Sequence, residues 1–243
     1  MMSARKIEAL VAENLTISYK TKEGEKTILQ DINVEIPMGK SVCIEGRSGC
    51  GKSSLLHALT LLQPPKRGEI HIHRKNENVS LSNLRFWERD RAFNQYFAYV
   101  FQKTQLLKRR SVKENIATPL ISLGYPKQEI EKKVNKICEK LKITDLLNED
   151  KYQTKNLSAG EAQRVGIARA LITERPFLIA DEICSALDED NREIIFKTIS
   201  SILQDSERKD AFGLILVSHN EHIKEQVDIL LKIDNGKLIT VRD

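Results

Sequence analysis

Apolar and polar residues alternate along the first part of the chain, and this two-residue period predicts half-buried strands. The alternation covers residues 7–19, 27–36 and 68–73. A turn at residues 22–24 separates the first two of these segments. The amino-terminal part of the chain is therefore expected to form a β subdomain.

A different pattern begins at residue 41, where a short apolar strand, residues 41–45, runs directly into a glycine-rich segment. Residues 52–62 then show helical spacing of their apolar positions. The face that this spacing predicts to be buried carries Leu55, Leu56, Leu59 and Leu62. The prolines at positions 64 and 65 end the predicted helix.

The pattern of charged and apolar residues changes again after residue 80. Residues 81–96 are charged and predict a partial helix, and residues 97–101 predict a buried strand. Strand patterns then disappear from residue 103 to residue 153. Within this stretch, residues 127–141 form an amphipathic helical pattern whose apolar positions are Ile130, Val134, Ile137 and Leu141.

Helices and strands alternate once more in the last third of the chain. The pattern predicts a helix at 161–173, a strand at 177–180, a helix at 190–203, a strand at 214–218, and a hairpin at 229–241 that turns at Asn235 and Gly236. We interpret residues 1–243 as one α/β domain. Its core comprises residues 1–102 and 173–243, and a helical subdomain of about residues 103–172 is inserted between them.

Composition narrows the classes of protein that this domain can belong to. Hydrophobic residues make up 40% of the chain and aromatic residues only 5%, and the net charge of +5 is spread over interspersed acidic and basic residues. This dispersion does not favour a nucleic-acid partner, which usually requires a concentrated basic patch. The four cysteines form no CxxC pair, so we expect free thiols and no zinc site. No apolar run approaches the about 20 residues that span a bilayer, so we expect any membrane connection to come through a partner.

The glycine-rich segment after the strand at 41–45 fits the phosphate-binding pattern GxxxxGK[ST]. Its residues are Gly46, Arg47, Ser48, Gly49, Cys50, Gly51, Lys52 and Ser53, followed by Ser54. Glycines let successive backbone N–H groups point inward, and the helix amino terminus behind them favours an anion. In this pattern Lys52 reaches the phosphates and Ser53 offers its hydroxyl to Mg²⁺. A chance match is disfavoured because the segment lies between a predicted strand and a predicted helix.

A pair of carboxylates follows the apolar strand at 177–180. Asp181 at the end of such a strand can hold Mg²⁺, and the adjacent Glu182 can orient and polarise an attacking water. The alternative is an ordinary acidic strand end.

Together with these residues, a third motif gives the chain a family resemblance. Leu157, Ser158, Ala159, Gly160 and Glu161 stand where the ATP-binding cassette (ABC) ATPases carry their LSGGQ signature. The chain resembles that family over essentially its whole length. The resemblance implies a P-loop NTPase, RecA-like core with an amino-terminal antiparallel β subdomain and an inserted helical subdomain. It also implies ATP and Mg²⁺ as ligands.

The resemblance assigns further roles residue by residue. Gln102 looks like the glutamine that senses Mg²⁺ and the attacking water, and His219 like the histidine that holds the γ-phosphate. Tyr19 stands where the family stacks an aromatic ring on adenine, and Asp188 belongs to a segment similar to the loop that couples two sites. Each also has a structural alternative: Gln102 as a surface amide, His219 as a structural histidine, Tyr19 as a core or surface aromatic, and Asp188 as a helix cap.

In this family the signature faces the γ-phosphate bound by a second protomer. The resemblance therefore implies a head-to-tail homodimer in which Ser158, Gly160 and Glu161 complete the ATP site in trans. Three departures from the family pattern stand out: Ala159, Glu161 and the pair Ile183-Cys184. None of them removes a group that performs chemistry, so we expect an active ATPase.

The segment from Leu81 to Leu120 is similar to the lipoprotein-releasing and macrolide-export ATPases. This similarity implies an ATPase that drives a separate integral-membrane permease from the cytoplasmic face of the membrane, in an exporter or in a lipoprotein- or peptide-extruding complex. Two alternatives remain open at this point. One is a regulator of the cell-division type, and the other is a soluble DNA-repair or translation ATPase.

Overall fold

The computed structural model describes residues 7–22, 24–102, 104–148, 154–183, 189–203 and 212–243. The strands in these ranges are β1 (Ile7–Thr21), β2 (Gly24–Pro37), β3 (Ser41–Glu45), β4 (Arg67–Arg74), β5 (Glu77–Ser80), β6 (Phe97–Val100), β7 (Phe177–Asp181), β8 (Gly213–Val217), β9 (Ile229–Asp234) and β10 (Lys237–Arg242). The α-helices are α1 (Lys52–Leu59), α2 (Phe86–Tyr96), α3 (Val112–Ser122), α4 (Lys127–Lys140), α5 (Ala159–Leu171), α6 (Glu189–Leu203) and α7 (Glu221–Gln226).

The alternating segments near the amino terminus form a four-stranded antiparallel sheet in the order β2-β1-β4-β5. In β2 the alternation appears directly as burial, since Ile32, Val34 and Ile36 are buried whereas Asp31, Asn33 and Glu35 are exposed. The buried face packs on α1, which places this sheet beside the glycine-rich segment. The predicted antiparallel subdomain is confirmed.

A second sheet has the order β10-β9-β3-β8-β7-β6, with parallel pairing from β9 to β6 and an antiparallel edge at β10. β7 and β8 are fully buried because both faces of the sheet are covered. Successive residues of β7 point into two different cores: Phe177 and Ile179 pack with the antiparallel sheet and α1, whereas Leu178 and Ala180 pack with helices. The predicted α/β fold class is confirmed.

Three helices between β6 and β7 pack on one another and on the second core. α4 buries Ile130, Val134 and Ile137 along one face, as its spacing predicts. Ser111 immediately precedes α3 and Ser158 immediately precedes α5, and the side chain of each serine caps its helix. These helices fall within the predicted subdomain of residues 103–172, whose boundaries stay a prediction.

The helix after the glycine-rich segment is shorter than the sequence pattern predicts. α1 ends at Leu59, and the following Leu61 adopts a left-handed backbone with φ of 64°. This turn points Leu62 outward, where 46% of its surface is exposed. The prediction that Leu62 shares the buried face of Leu55, Leu56 and Leu59 is therefore wrong.

Among the residues that the structure describes, no helix combines the length and apolar character that crossing a membrane requires.

Candidate functional site

The glycine-rich segment connects β3 to α1 at the centre of the parallel sheet. Gly51 caps α1 with φ of 108°, and a Cβ there would approach the side chain of Ile28 to 2.8 Å. Gly46 has φ of 153°, and a Cβ there would lie 2.7 Å from the Cys50 sulfur. Glycine is therefore required twice, because both positions combine an unfavourable backbone conformation with close packing. The result is a tight loop that continues into the amino terminus of α1. Backbone N–H groups at such a helix terminus bind anions.

The side chain of Lys52 is buried beneath this loop. The Lys52 ammonium donates to the carbonyl oxygens of Gly46 at 2.9 Å and Arg47 at 3.2 Å, and only 5% of the residue is exposed. These contacts hold a positive charge against the concave side of the loop. Arg47 and Ser48 themselves lie toward solvent.

β7 ends beside α1, and this brings the Asp181 carboxylate close to the Ser53 hydroxyl. Both groups are predicted from the sequence to hold Mg²⁺. The Ser53 hydroxyl lies 3.4 Å from Asp181 Oδ1. Burial raises the pKa of Asp181 above its usual value, and the hydrogen bonds from Ser53 and Tyr99 partly oppose that rise. A buried carboxylate next to a hydroxyl suits a hard cation such as Mg²⁺. Within the described ranges no cluster of three or more His, Cys, Asp or Glu side chains could hold a metal.

Tyr99 contributes a contact that sequence reasoning missed. Its hydroxyl donates to Asp181 Oδ2 at 3.3 Å, and its ring stacks on Phe101 with centroids 4.3 Å apart. Tyr99 therefore connects Asp181 to the segment that carries Gln102. The contact exists because β6 lies next to β7 in the sheet, which the sequence pattern alone does not specify.

Removing the Tyr99 hydroxyl is expected to weaken divalent metal binding about tenfold, the lower range for groups that orient a metal ligand. In Tyr99→Phe one oxygen of Asp181 loses its hydrogen bond, which favours the protonated carboxyl over the metal-binding carboxylate. Titration of Mn²⁺ by electron paramagnetic resonance, with a non-hydrolysable ATP analogue present, measures this affinity. The control is Tyr96→Phe, which removes a hydroxyl that meets Arg74 instead. Equal Mn²⁺ affinities in the two variants would contradict the assignment.

Glu182 is brought together with the other two predicted catalytic residues. The Gln102 amide donates to Glu182 Oε2 at 2.9 Å, and His219 Nε2 lies 3.4 Å from Glu182 Oε1. Glu182 has a left-handed backbone with φ of 47°. A non-glycine residue in this conformation is strained, and such strain concentrates at functional sites. The Glu182 carboxylate is thus directed between Gln102 and His219 at the carboxyl ends of β7 and β8.

Tyr19 lies next to the phosphate loop. Its hydroxyl donates to the Ser54 hydroxyl at 2.9 Å, which attaches β1 to the first turn of α1. The ring is half-buried and packs at the edge of the core formed with the antiparallel sheet. This position is compatible with stacking on a base, which stays a prediction.

The signature motif opens α5 with two reciprocal hydrogen bonds. The Ser158 hydroxyl accepts from the Glu161 N–H at 3.2 Å, and the Glu161 carboxylate accepts from the Ser158 N–H at 2.7 Å. Such a capping box satisfies two backbone donors at the start of a helix. The bonds from Ser158 lower the pKa of Glu161. Glu161, where the family has glutamine, is therefore a fixed negative charge in the first turn of α5.

Replacing Glu161 with glutamine is expected to strengthen ATP-dependent dimerisation about fivefold. The glutamine retains the capping box. If the signature faces a phosphate of a second protomer, as the resemblance implies, the change also removes a repulsion on the order of 1 kcal/mol in a solvated site. Sedimentation in the presence of ATP, in a Glu182→Gln background that does not consume the nucleotide, measures the dimer. Glu114→Gln makes the same change in the matching capping box of α3 and serves as the control. An equal gain in both variants would mean that the charge at position 161 does not face a phosphate.

A segment after Gln102 joins the predicted catalytic residues to α5. The Thr104 hydroxyl donates to Gln163, and Arg169 donates to the Gln105 carbonyl oxygen at 2.9 Å. Gly166 permits this approach, since a Cβ there would lie 2.6 Å from the Thr104 side chain. Gln102 and α5 are consequently connected through only a few residues.

The structure groups the predicted site residues into two sets. The phosphate loop, Asp181, Glu182, Gln102, His219 and Tyr19 belong to one set. Ser158, Gly160 and Glu161 lie at the start of α5, and no hydrogen bond or ion pair among the described residues joins them to residues 46–54. Asp188 and Cys184, for which predictions were also made, lie outside the described residues.

Comparison with known proteins identifies the relatives of this chain. A family profile described as "ABC transporter" matches residues 29–185. The methionine import ATP-binding protein MetN of Francisella tularensis subsp. holarctica (strain OSU18) is 36% identical over 227 residues, which are 93% of this chain and 61% of MetN. The macrolide export ATP-binding/permease protein MacB of Bartonella henselae is 30% identical over 239 residues, 98% of this chain and 34% of MacB. The chain thus spans about three fifths of the length of the MetN relative.

Solved structures agree with the fold. The dimeric structure of MJ0796, a bacterial ABC transporter cassette, superposes with a TM-score of 0.83 at 26% identity, covering 96% of this chain and 99% of that one. A second dimeric structure of MJ0796, in a post-hydrolysis state bound to ADP and Pi, superposes with a TM-score of 0.82.

Proposed function

Because this chain belongs to the ABC transporter family, we propose that it binds and hydrolyses ATP to drive a separate integral-membrane permease. The observation that carries the proposal is the contact of Glu182 with both Gln102 and His219, one residue after the carboxylate that meets Ser53. A general base, its two orienting groups and a cation site thus lie side by side. This arrangement suits in-line attack of water on a terminal phosphate.

Each residue of the site has its own role in the proposed hydrolysis of ATP. Lys52 and the loop N–H groups bind the phosphates, and the strained backbone of Glu182 aims its carboxylate at a water that it can deprotonate. His219 and Gln102 hold that carboxylate and the water in place. Ser53 and Asp181, with Gln102 close by, would hold Mg²⁺, which neutralises charge on the phosphate oxygens when bound. We propose that Tyr19 stacks on the adenine.

The active form is proposed to be a head-to-tail homodimer that encloses two ATP molecules. Support comes from the separation of the two residue sets within one chain and from the dimeric relatives. In this arrangement Ser158 and Gly160 at the amino terminus of α5 contact the γ-phosphate held by the other protomer, where a helix terminus favours an anion. Asp188 would couple the two sites.

The permease is proposed to bind at the cytoplasmic face of the membrane, beside the segment that follows Gln102. Export or extrusion is the direction that the run from Leu81 to Leu120 supports, together with the match to MacB over 98% of the chain. Import is a second candidate, favoured by the higher identity to MetN. No nucleic-acid partner is proposed, since the basic residues are dispersed.

Purification of the tagged chain from detergent-solubilised membranes of its own host tests this function. The expected result is a co-purifying integral-membrane subunit that raises the rate of Mg²⁺-dependent phosphate release. The lipoprotein-releasing and macrolide-export ATPases that residues 81–120 resemble work with a membrane subunit that has a large extracytoplasmic domain, so recovery of such a subunit would favour extrusion. Recovery of ribosomes or DNA without a membrane protein would contradict the proposal. A membrane partner whose complex moves no substrate would indicate a signalling role.

A further inference from the structure

A cavity of about 260 Å³ lies between α6 and the strands β7 and β8. Its wall consists mainly of buried apolar side chains, among them Ile195, Phe196 and Ile199 of α6 and Leu214 and Leu216 of β8. These five residues belong to the core that the second sheet builds with helices. Protein interiors contain few voids larger than a water molecule, and apolar cavities exclude water and accept apolar molecules. The cavity is therefore suited to an apolar ligand.

Hydrogen-bond donors also line this cavity. Ser218 and His219 follow β8, and Arg192 lies in the first turn of α6. Ser218 is only 8% exposed, and its hydroxyl oxygen accepts from the Asn220 N–H at 3.1 Å. Among the described residues, no acceptor meets the proton of this hydroxyl. Because a buried donor without an acceptor is costly, a ligand that brings an oxygen atom to Ser218 is favoured.

The charged side chains of the cavity favour a negative oxygen over a neutral one. Arg192 is a permanent cation. Glu182, the one carboxylate among the described lining residues, accepts from the Gln102 amide at 2.9 Å and lies 3.4 Å from His219 Nε2. Its oxygens are thus directed at Gln102 and His219. Hydrogen bonds to an ionised acceptor are about twice as strong as those between neutral groups, so a carboxylate is the polar group that these donors favour.

The volume of the cavity determines how long the apolar part of the ligand can be. A water-sized group occupies about 30 Å³, so about 260 Å³ accommodates about nine such groups. We propose that the cavity binds a medium-chain alkyl carboxylate of about this size, with octanoate as the representative. Its chain lies along Ile195, Ile199 and Leu214, and its carboxylate accepts from Ser218 and Arg192.

Occupation of the cavity should slow ATP hydrolysis, because Glu182 and His219 also line it. The carboxylate of the ligand competes with Glu182 for the His219 side chain, which the proposed mechanism requires next to the attacking water. Residues 46–54 are not among the described lining residues, so the binding of ATP should persist. The inhibition rests on the proposed function, whereas the binding of the carboxylate does not.

Isothermal titration calorimetry of the full chain without nucleotide measures this binding. The probes are butanoate, hexanoate, octanoate and dodecanoate. We expect the affinity to rise about fourfold with each methylene group up to octanoate and to stay level at dodecanoate, since the cavity is then full. Octanol and octylamine have the same chain without the negative charge and should bind at least tenfold more weakly.

Variants assign the binding to the cavity. Ile199→Phe fills part of the volume and should reduce the affinity for octanoate at least tenfold. Arg192→Gln should reduce the affinity for octanoate several-fold and leave that for octanol unchanged. The control is Lys197→Gln, which removes a cation that points to solvent from the same helix and should bind octanoate as the unmodified chain does. The thermal unfolding temperature of each variant without ligand shows whether it is folded.

Phosphate release at saturating octanoate should show a kcat at least fivefold lower and an unchanged KM for ATP. Four outcomes would overturn the proposal. They are an absence of binding, equal affinities for octanoate, octanol and octylamine, an affinity for octanoate that Ile199→Phe does not change, and an affinity that continues to rise to dodecanoate. A raised KM at constant kcat would assign octanoate to the nucleotide site instead. Binding of octanoate to a chain that hydrolyses no ATP would refute the proposed function and leave the cavity assignment intact.

Discussion

Glu182→Gln is expected to reduce ATP turnover at least 100-fold while ATP binding persists. General bases contribute about 10²–10⁴ to rates, and glutamine keeps the size and the polar contacts of Glu182 but cannot accept the proton of the attacking water. Since the nucleotide is no longer consumed, the ATP-bound dimer should accumulate. Phosphate release measures the first effect, and size-exclusion chromatography with ATP and Mg²⁺ measures the second.

The control for this change is Glu35→Gln, an exposed carboxylate on β2. It should leave both phosphate release and the monomer–dimer distribution unchanged. A Glu182→Gln protein that releases phosphate at the unmodified rate would show that another group activates the water. The contacts of Glu182 with Gln102 and His219 would then be structural.

Ser158→Asp is expected to abolish ATP-dependent dimerisation without weakening the binding of ATP to the monomer. Aspartate caps a helix as well as serine does, so α5 should retain its first turn. The added carboxylate, however, repels the γ-phosphate that the signature is proposed to contact in trans. Sedimentation with ATP should detect only monomer, and phosphate release should fall by about tenfold or more, since repulsion of 1.4 kcal/mol already corresponds to a factor of ten.

The chain contains a matched control for Ser158→Asp. Ser111 caps α3 through the same arrangement with Glu114, so Ser111→Asp introduces the same charge into the same helix start at another place. It should leave dimerisation intact. Lys52→Ala provides the complementary case, because it should weaken nucleotide binding to the monomer itself. If Ser158→Asp weakened monomer binding as strongly as Lys52→Ala does, the signature would act on the nucleotide of its own chain.

Much of the site could be predicted because its motifs are contiguous. The phosphate loop lies within eight residues, and its flanking strand and helix are visible in the local pattern. Asp181 and Glu182 follow an unbroken apolar strand. Serine followed three residues later by glutamate, as at Ser158 and Glu161, is a sequence signal for a helix start, and α5 begins at Ala159, two residues before the predicted start at residue 161.

Other features depend on contacts that no local pattern encodes. The Tyr99–Asp181 hydrogen bond requires β6 and β7 to be neighbours, and the Thr104–Gln163 contact requires a close approach that Gly166 permits. Three elements also lacked a distinct pattern. β5 has four residues, α7 has six, and α3 carries Pro119 in its interior, where proline normally argues against a helix.

β7 and β8 each contribute side chains to two hydrophobic cores, and this predicts slow hydrogen exchange of their backbone amides. Residues of these strands alternate between a core built with the antiparallel sheet and a core built with helices, so neither core can open without disturbing the strands that end at Asp181 and Val217. Their amides should exchange only by global unfolding, whereas those of the exposed residues Phe101 and Gln102 should exchange through local opening. The most protected part of the molecule thus supports Asp181, the proposed metal ligand, and a locally labile segment supports Gln102, which touches the proposed general base Glu182.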